Sequence, residues 1–214
     1  NEWNPKACVR NKKDFRGLFE LFIPGVLDNE GYKYQIQCCD NVVRDKQDPF
    51  AFSDEISGDH CSFTVDIEKD IHIDDTSYLE SRSRKYDNPR SIFEFHRGTF
   101  RRKEDGSLYN YSERADILIP YRKERGYTHV EPLPLTSYPN DASWGYQTLG
   151  YFAIDKRYGT LSDFASFVEK RHQAGIGVIR DFVPVHFALD SFGLEKFDGS
   201  CVYEYNNEEP RTLI

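Results

Sequence analysis

The sequence predicts a chain in two parts, a small β-sandwich over residues 1–70 and a parallel α/β layer from residue 91 onward. Three observations carry this expectation. Residues 1–70 hold short aromatic and β-branched runs separated by turn formers. From residue 91 the order becomes strand, helix, strand, helix, strand, which implies parallel strands joined by crossovers. Between the two, residues 71–90 are polar and charged and run into Pro89, as a linker with one short helix would.

In the first part, residues 18–23 and 32–36 read as strands, and the intervening 24–31 collects Pro, Gly, Asp and Asn. Residues 62–67 alternate apolar and polar, the period of a half-buried strand. In the second part, residues 91–96 form the first strand, ended by Gly98. A helix over 112–125 puts Ala115, Leu118, Ile119 and the stem of Arg122 on one face, with Pro120 predicting a kink and Gly126 the stop. Residues 128–131 start a second strand. Thr160 and Asp163 have the spacing of a capping box, and Phe164, Phe167 and Val168 recur at helical intervals before Gly175. Residues 176–183 complete the pattern as a largely apolar third strand.

Composition narrows the function classes. A content of 15% aromatics is too high for a disordered, collagen-like or coiled-coil chain, and 214 residues can bury a sizeable core. A net charge of −8 argues against nucleic acid or an anionic membrane as a partner; the basic run 97–103 reads as a solvated loop. No apolar stretch approaches membrane-spanning length, and no basic-then-apolar leader opens the chain. Five cysteines, an odd number without CxxC spacing, read as free thiols of a reducing cytosol and not as a disulfide frame or zinc site. The Asn1 start and the absence of methionine predict a processed chain, a fragment or an altered sequence.

Reactive groups in parallel α/β folds gather at the carboxyl ends of the strands. One such end leads to Asn140-Asp141-Ala142-Ser143-Trp144-Gly145-Tyr146-Gln147, another to Asp181-Phe182-Val183-Pro184-Val185-His186-Phe187. Asp181 and His186 face one pocket if the strand breaks at Pro184, although a buried pair fixing a loop is the commoner use of such spacing. Two ligands are too few for a metal. Trp144 and Tyr146 suit stacking on sugar rings, yet aromatic residues more often pack the underside of a loop.

The motifs themselves go further. Gly126-Tyr127-Thr128-His129-Val130-Glu131, Asp141-Ala142-Ser143-Trp144-Gly145-Tyr146-Gln147-Thr148, Arg157-Tyr158-Gly159-Thr160 and His172-Gln173-Ala174-Gly175-Ile176-Gly177-Val178-Ile179 resemble the 1,4-α-glucan (glycogen) branching enzymes. Asp181-Phe182-Val183-Pro184-Val185-His186-Phe187 is similar to the first conserved region of the α-amylase superfamily. Trp3-Asn4-Pro5 and Asp48-Pro49-Phe50-Ala51-Phe52 resemble the carbohydrate-binding sandwich that precedes the barrel in these enzymes.

The resemblance implies an N-terminal carbohydrate-binding-module-like β-sandwich over 1–70, a linker over 71–90, and the first three βα units of a (β/α)8 TIM barrel over 91–214. It implies a glycosyltransferase of glycogen biosynthesis that cleaves an α-1,4-glucan and moves the freed chain to a 6-hydroxyl by retaining double displacement. No metal or organic cofactor is implied, and the partner is an α-1,4-glucan, the substrate of an enzyme expected to be a cytoplasmic monomer when full length. By position, Tyr146 stacks on the sugar at the cleavage point, His186 bonds one of its hydroxyls, and Asp181 supports the site from beneath. Trp144 and Asp141 line the glucan path. The nucleophile and the acid/base belong to later strands, so the chain alone is expected to be inactive. The alternatives are a non-catalytic glucan-binding protein, or a related hydrolase or trehalose-forming enzyme.

Overall fold

A computed structural model describes residues 12–82 and 88–206. Trp3-Asn4-Pro5 and Cys8 therefore lie outside the described residues.

The N-terminal part is built of short antiparallel ladders. Strands β1 (Lys12–Lys13) and β2 (Phe19–Glu20) pair with each other. Strand β3 (Gly31–Tyr32) pairs with β6 (Ser62–Phe63), and β4 (Tyr34–Gln37) with β5 (Val43–Lys46). Among the described residues these are three separate two-stranded sheets, short of the two packed sheets expected. Most strand residues before β6 are exposed on both faces, so no sheet covers another. The alternation over 62–67 also yields less strand than expected: Ile67 already opens a short helix, α1 (Ile67–Asp70), capped by the Asp66 carboxylate on the Lys69 amide. Among the described residues of 71–90 there is one short helix, α2 (Thr76–Ser81).

The second part follows its sequence closely. Strands β7 (Ile92–Phe95) and β8 (His129–Pro132) run parallel, in register from Ile92 opposite His129 to Phe95 opposite Pro132. Between them, α3 (Tyr111–Arg125) starts at a capping box of Asn110 and Glu113, runs through Pro120, and stops at Gly126. Gly126 takes the left-handed backbone (φ 76°) that ends helices and that side chains resist. After β8 the chain makes an antiparallel pair absent from the sequence expectation, β9 (Thr136–Ser137) with β10 (Gly150–Ile154). Helix α4 (Leu161–Gln173) then opens on the Thr160–Asp163 capping box.

The third strand is shorter than expected. Strand β11 is Gly177–Val178, parallel to β8, and one further bond joins the Ile179 amide to the Val130 carbonyl at 2.9 Å. From there Arg180 turns outward and donates to the Tyr151 carbonyl at 2.7 Å, so pairing ends well before Pro184. The sheet order β11-β8-β7 places three consecutive parallel strands side by side as an open arc. Its core is Phe95, Leu118, Val130, Leu135, Phe167 and Ile176, with Tyr111, Ala115 and Tyr158. Helices α3 and α4 meet over this core and are stitched by the Ser112 and Ser166 hydroxyls at 3.0 Å.

The two parts meet at several places: Asp54 lies against Gly150, Phe50 stacks on Phe152, and Lys156 covers the Phe63 ring. Lys46, at the end of β5, is fully buried and donates to the Gly193 and Glu195 carbonyls at 3.1 and 2.6 Å. The Gln47 amide bonds the Phe192 carbonyl, and the Cys39 amide that of Asp198. The β4–β5 hairpin thus anchors the segment that follows His186.

Candidate active site

The site is a loop held between β9 and β10, with the chain that leaves β11 beside it. Asn140 caps a 3-10 turn over Asp141–Ser143, and its side chain accepts the Ala142 amide at 3.0 Å. Trp144 follows in the left-handed region (φ 57°), then Gly145 (φ 99°). A side chain at Gly145 would put its Cβ 2.8 Å from the Pro134 carbonyl oxygen, so only glycine lets the loop close there. The loop returns through Tyr146 and Gln147 to Thr148. The Leu149 amide bonds the Ser137 carbonyl at 2.7 Å.

Thr148 forms a parallel bridge with Phe187, and the Ala188 amide donates to the Thr148 carbonyl at 2.9 Å. These bonds bring the Asp181–His186 segment against the loop. The Tyr146 hydroxyl donates to Asp181 Oδ2 at 3.1 Å, so the expected stacking tyrosine and supporting acid meet. The Tyr146 phenol is pushed up to about 12, by burial first and then by the bond to Asp181, with the charges of Asp181, Glu94 and Glu131 adding to it. The hydroxyl therefore stays protonated and keeps its donor role at neutral pH.

The other expected residues are placed differently. Half-buried His186 has its backbone carbonyl accepting from the Tyr151 hydroxyl at 2.9 Å, and among the described residues no hydrogen bond joins its ring to Asp181. Trp144 is 54% exposed and stacks on His96 at 5.4 Å, at the end of β7. Asp141 is exposed and pairs with Arg157 at 3.4 Å. Of the two readings open for the aromatic residues, Trp144 offers a solvent-facing ring and Tyr146 a half-buried one.

Several neighbours went unread in the sequence. Glu94 and Glu131 stand opposite each other as the third residues of β7 and β8, and their equal position in the two strands was the available signal. Asp155 and Arg97 form a fully buried ion pair at 3.6 Å, which no local pattern announces. Burial raises the Asp155 carboxyl, while Arg97 and Arg157 pull it back down. His96 is lowered, by burial and then by the Arg97 charge, which leaves its ring neutral beside Trp144. Among the described residues no group of three or more His, Cys, Asp or Glu side chains could hold a metal ion, and no helix is long and apolar enough to cross a membrane.

Comparison with known proteins agrees with the motifs. Residues 115–208 match the family described as alpha amylase, catalytic domain. The chain is 45% identical to the 1,4-alpha-glucan branching enzyme GlgB of Geobacillus stearothermophilus, over 99% of this chain and 33% of that enzyme. It is 43% identical to the GlgB of Nitrosomonas eutropha, over 99% of this chain and 29% of that enzyme. The chain thus spans about a third of the length of the curated relatives it matches. Among solved structures, the pullulanase of Anoxybacillus sp. LM18-11 complexed with maltotetraose superposes with a TM-score of 0.65 at 22% identity, covering 83% of this chain and 29% of that one. At that identity the likeness speaks for the fold. The resemblance to branching enzymes read from the motifs is borne out along the chain.

Proposed function

We propose that this chain is the leading part of a 1,4-α-glucan branching enzyme, which cuts an α-1,4 link and transfers the freed chain to a 6-hydroxyl. The observation that carries the reading is the Tyr146–Asp181 hydrogen bond at the strand ends, in a chain 45% identical to a named branching enzyme. In this reading the parent protein works by retaining double displacement, with one carboxylate as nucleophile and another as acid and then base. Neither group is assigned to a residue of this chain. Tyr146 offers its ring face to the glucosyl unit at the cleavage point, and Asp181 holds the phenol so that the ring cannot rotate away. His186 bonds a hydroxyl of the same sugar; Trp144 and Asp141 line the path of the neighbouring units.

The same reading treats residues 1–70 as a carbohydrate-binding-module-like sandwich, 71–90 as linker, and 91–214 as the start of the barrel. The cysteine spacing supports a reducing, cytosolic compartment, and the same reading takes the parent protein as a monomeric enzyme of glycogen synthesis. The test is linkage analysis of amylose incubated with the full-length protein. New α-1,6 branch points with few released sugars are expected. Released maltooligosaccharides or trehalose without branches would assign the parent to the hydrolases or trehalose-forming relatives, and binding without turnover to a glucan-binding protein.

A further inference from the structure

The loop that carries Asp141, Trp144 and Tyr146 has no regular structure of its own beyond one 3-10 turn, yet the proposed chemistry needs its aromatic rings fixed. We propose that Arg157 is the positioning residue that fixes this loop, and so sets where Tyr146 meets the glucan; the proposal rests on the site reading above.

Arg157 lies in the 3-10 turn Lys156–Tyr158 that follows β10. Its guanidinium grips the outgoing limb of the loop at three residues. Nη1 donates to the Tyr138 carbonyl at 2.9 Å, Nη2 to the Pro139 carbonyl at 3.3 Å, and Nε lies 3.4 Å from Asp141 Oδ1. The guanidinium also covers the Tyr138 ring at 4.4 Å. Two backbone bonds carry this grip onward: the Trp144 amide to the Asp141 carbonyl at 3.2 Å, and the Tyr146 amide to the Ser143 carbonyl at 3.0 Å.

Arg157 is itself oriented from behind. Asp155 Oδ1 accepts from Nη1 at 3.1 Å, and Asp155 Oδ2 faces Arg97 at 3.6 Å. Arg97 in turn donates to the Pro134 carbonyl at 2.5 Å, the oxygen against which Gly145 closes. One buried carboxylate therefore faces two arginines, Arg157 on the outgoing limb of the loop and Arg97 on Pro134, against which Gly145 packs. A lysine could keep the charge next to Asp155 but could not reach three acceptors in one plane.

The test uses the full-length protein with Arg157→Gln and Arg157→Lys. For Arg157→Gln the expectation is a fall in kcat for branching of about 10- to 100-fold with KM for amylose within about twofold, because remote sugar contacts persist while the reacting ring is misplaced. Arg157→Lys, which leaves Asp155 paired, should fold and recover only part of that loss. Amide hydrogen exchange, followed by mass spectrometry, should quicken in the peptide 138–148 and stay unchanged in α3 and α4. Wild-type kcat in both variants, or unchanged exchange in 138–148, would overturn the proposal. So would exchange quickened throughout, the mark of a merely structural ion pair. If the wild-type protein makes no branches, the function proposed above fails, and the exchange measurement still decides the role of Arg157.

Discussion

The same residue types meet opposite fates in the two parts of this molecule. Phe15 and Phe22, near the N-terminus, are 96% and 86% exposed, whereas Phe95 and Phe167 in the second part are 5% and 1% exposed. Both parts have strands of similar length. The difference is cover: β8 is paired on both sides, and α3 and α4 close over the arc, while among the described residues each N-terminal ladder has two strands and most strand residues before β6 stay exposed. Aromatic content alone therefore does not make a core; a second layer must arrive to bury it. One tie of the N-terminal part is the end of its β4–β5 hairpin, which reaches the second part through Lys46 and Gln47.

If this contrast is right, truncating an aromatic residue should matter in one part only. Phe167→Ala removes a ring from the interior between α3, α4 and the sheet and should cost about 3–5 kcal/mol in urea unfolding. Lys46→Met tests the tie. It leaves the Gly193 and Glu195 carbonyls without their donor and should cost about 1–3 kcal/mol, with proteolysis quickened in 31–46 before it is in α4. A loss shared evenly by both parts would say that they unfold as one unit.

A further effect, read through pH, is expected from Asp54, at the contact between β6 and β10. It is 1% exposed, accepts from the Ser62 hydroxyl at 2.8 Å, and lies against Gly150. Burial pushes its carboxyl up to about 7 from an ordinary 3.8; the Ser62 bond and Lys156 pull down, and Asp48 pushes further up. A raised carboxyl binds its proton more tightly when folded, so this group lowers stability as pH rises from about 4 to about 7 and adds no slope above that. Asp54→Asn should flatten the pH dependence of the urea midpoint across that window, and an unchanged slope would contradict the assignment. The smallest effect belongs to Phe22→Ala, expected within about 0.5 kcal/mol of wild type. A loss like that of Phe167→Ala would mean the exposed ladder is covered in solution.

Legibility in the sequence divides along the same line. Helices α3 and α4 were readable because caps and period agree: Thr160 with Asp163 opens α4, and Gly126 ends α3. The first two parallel strands were readable from apolar runs bounded by glycine. The third strand was over-read, since the apolar run 176–183 continues past Ile179 while its bonds to β8 do not. The β9–β10 pair was missed because its strands are interrupted by the site loop, and pairing across such a gap has no local signature. The described residues stop short of a full sandwich for a related reason: alternation marks a strand, not the sheet that will cover it.

At the site, Tyr146 and Asp181 were legible through their motifs, and the structure joins them. Arg97 and Asp155 were not, because their buried ion pair is assembled from distant positions and obeys no spacing rule; Arg157 stood in one of the motifs, which carries no sign of its grip on Tyr138 and Asp141.

The measurement that tests this account most directly is a crystal structure of the full-length protein with maltotetraose bound. The account predicts a glucosyl ring stacked on the face of Tyr146, within hydrogen-bond reach of the His186 ring, with the Tyr146–Asp181 bond intact. A glucan chain that bypasses Tyr146 and His186 and rests instead on the exposed, stacked rings of Phe50 and Phe152 would contradict it.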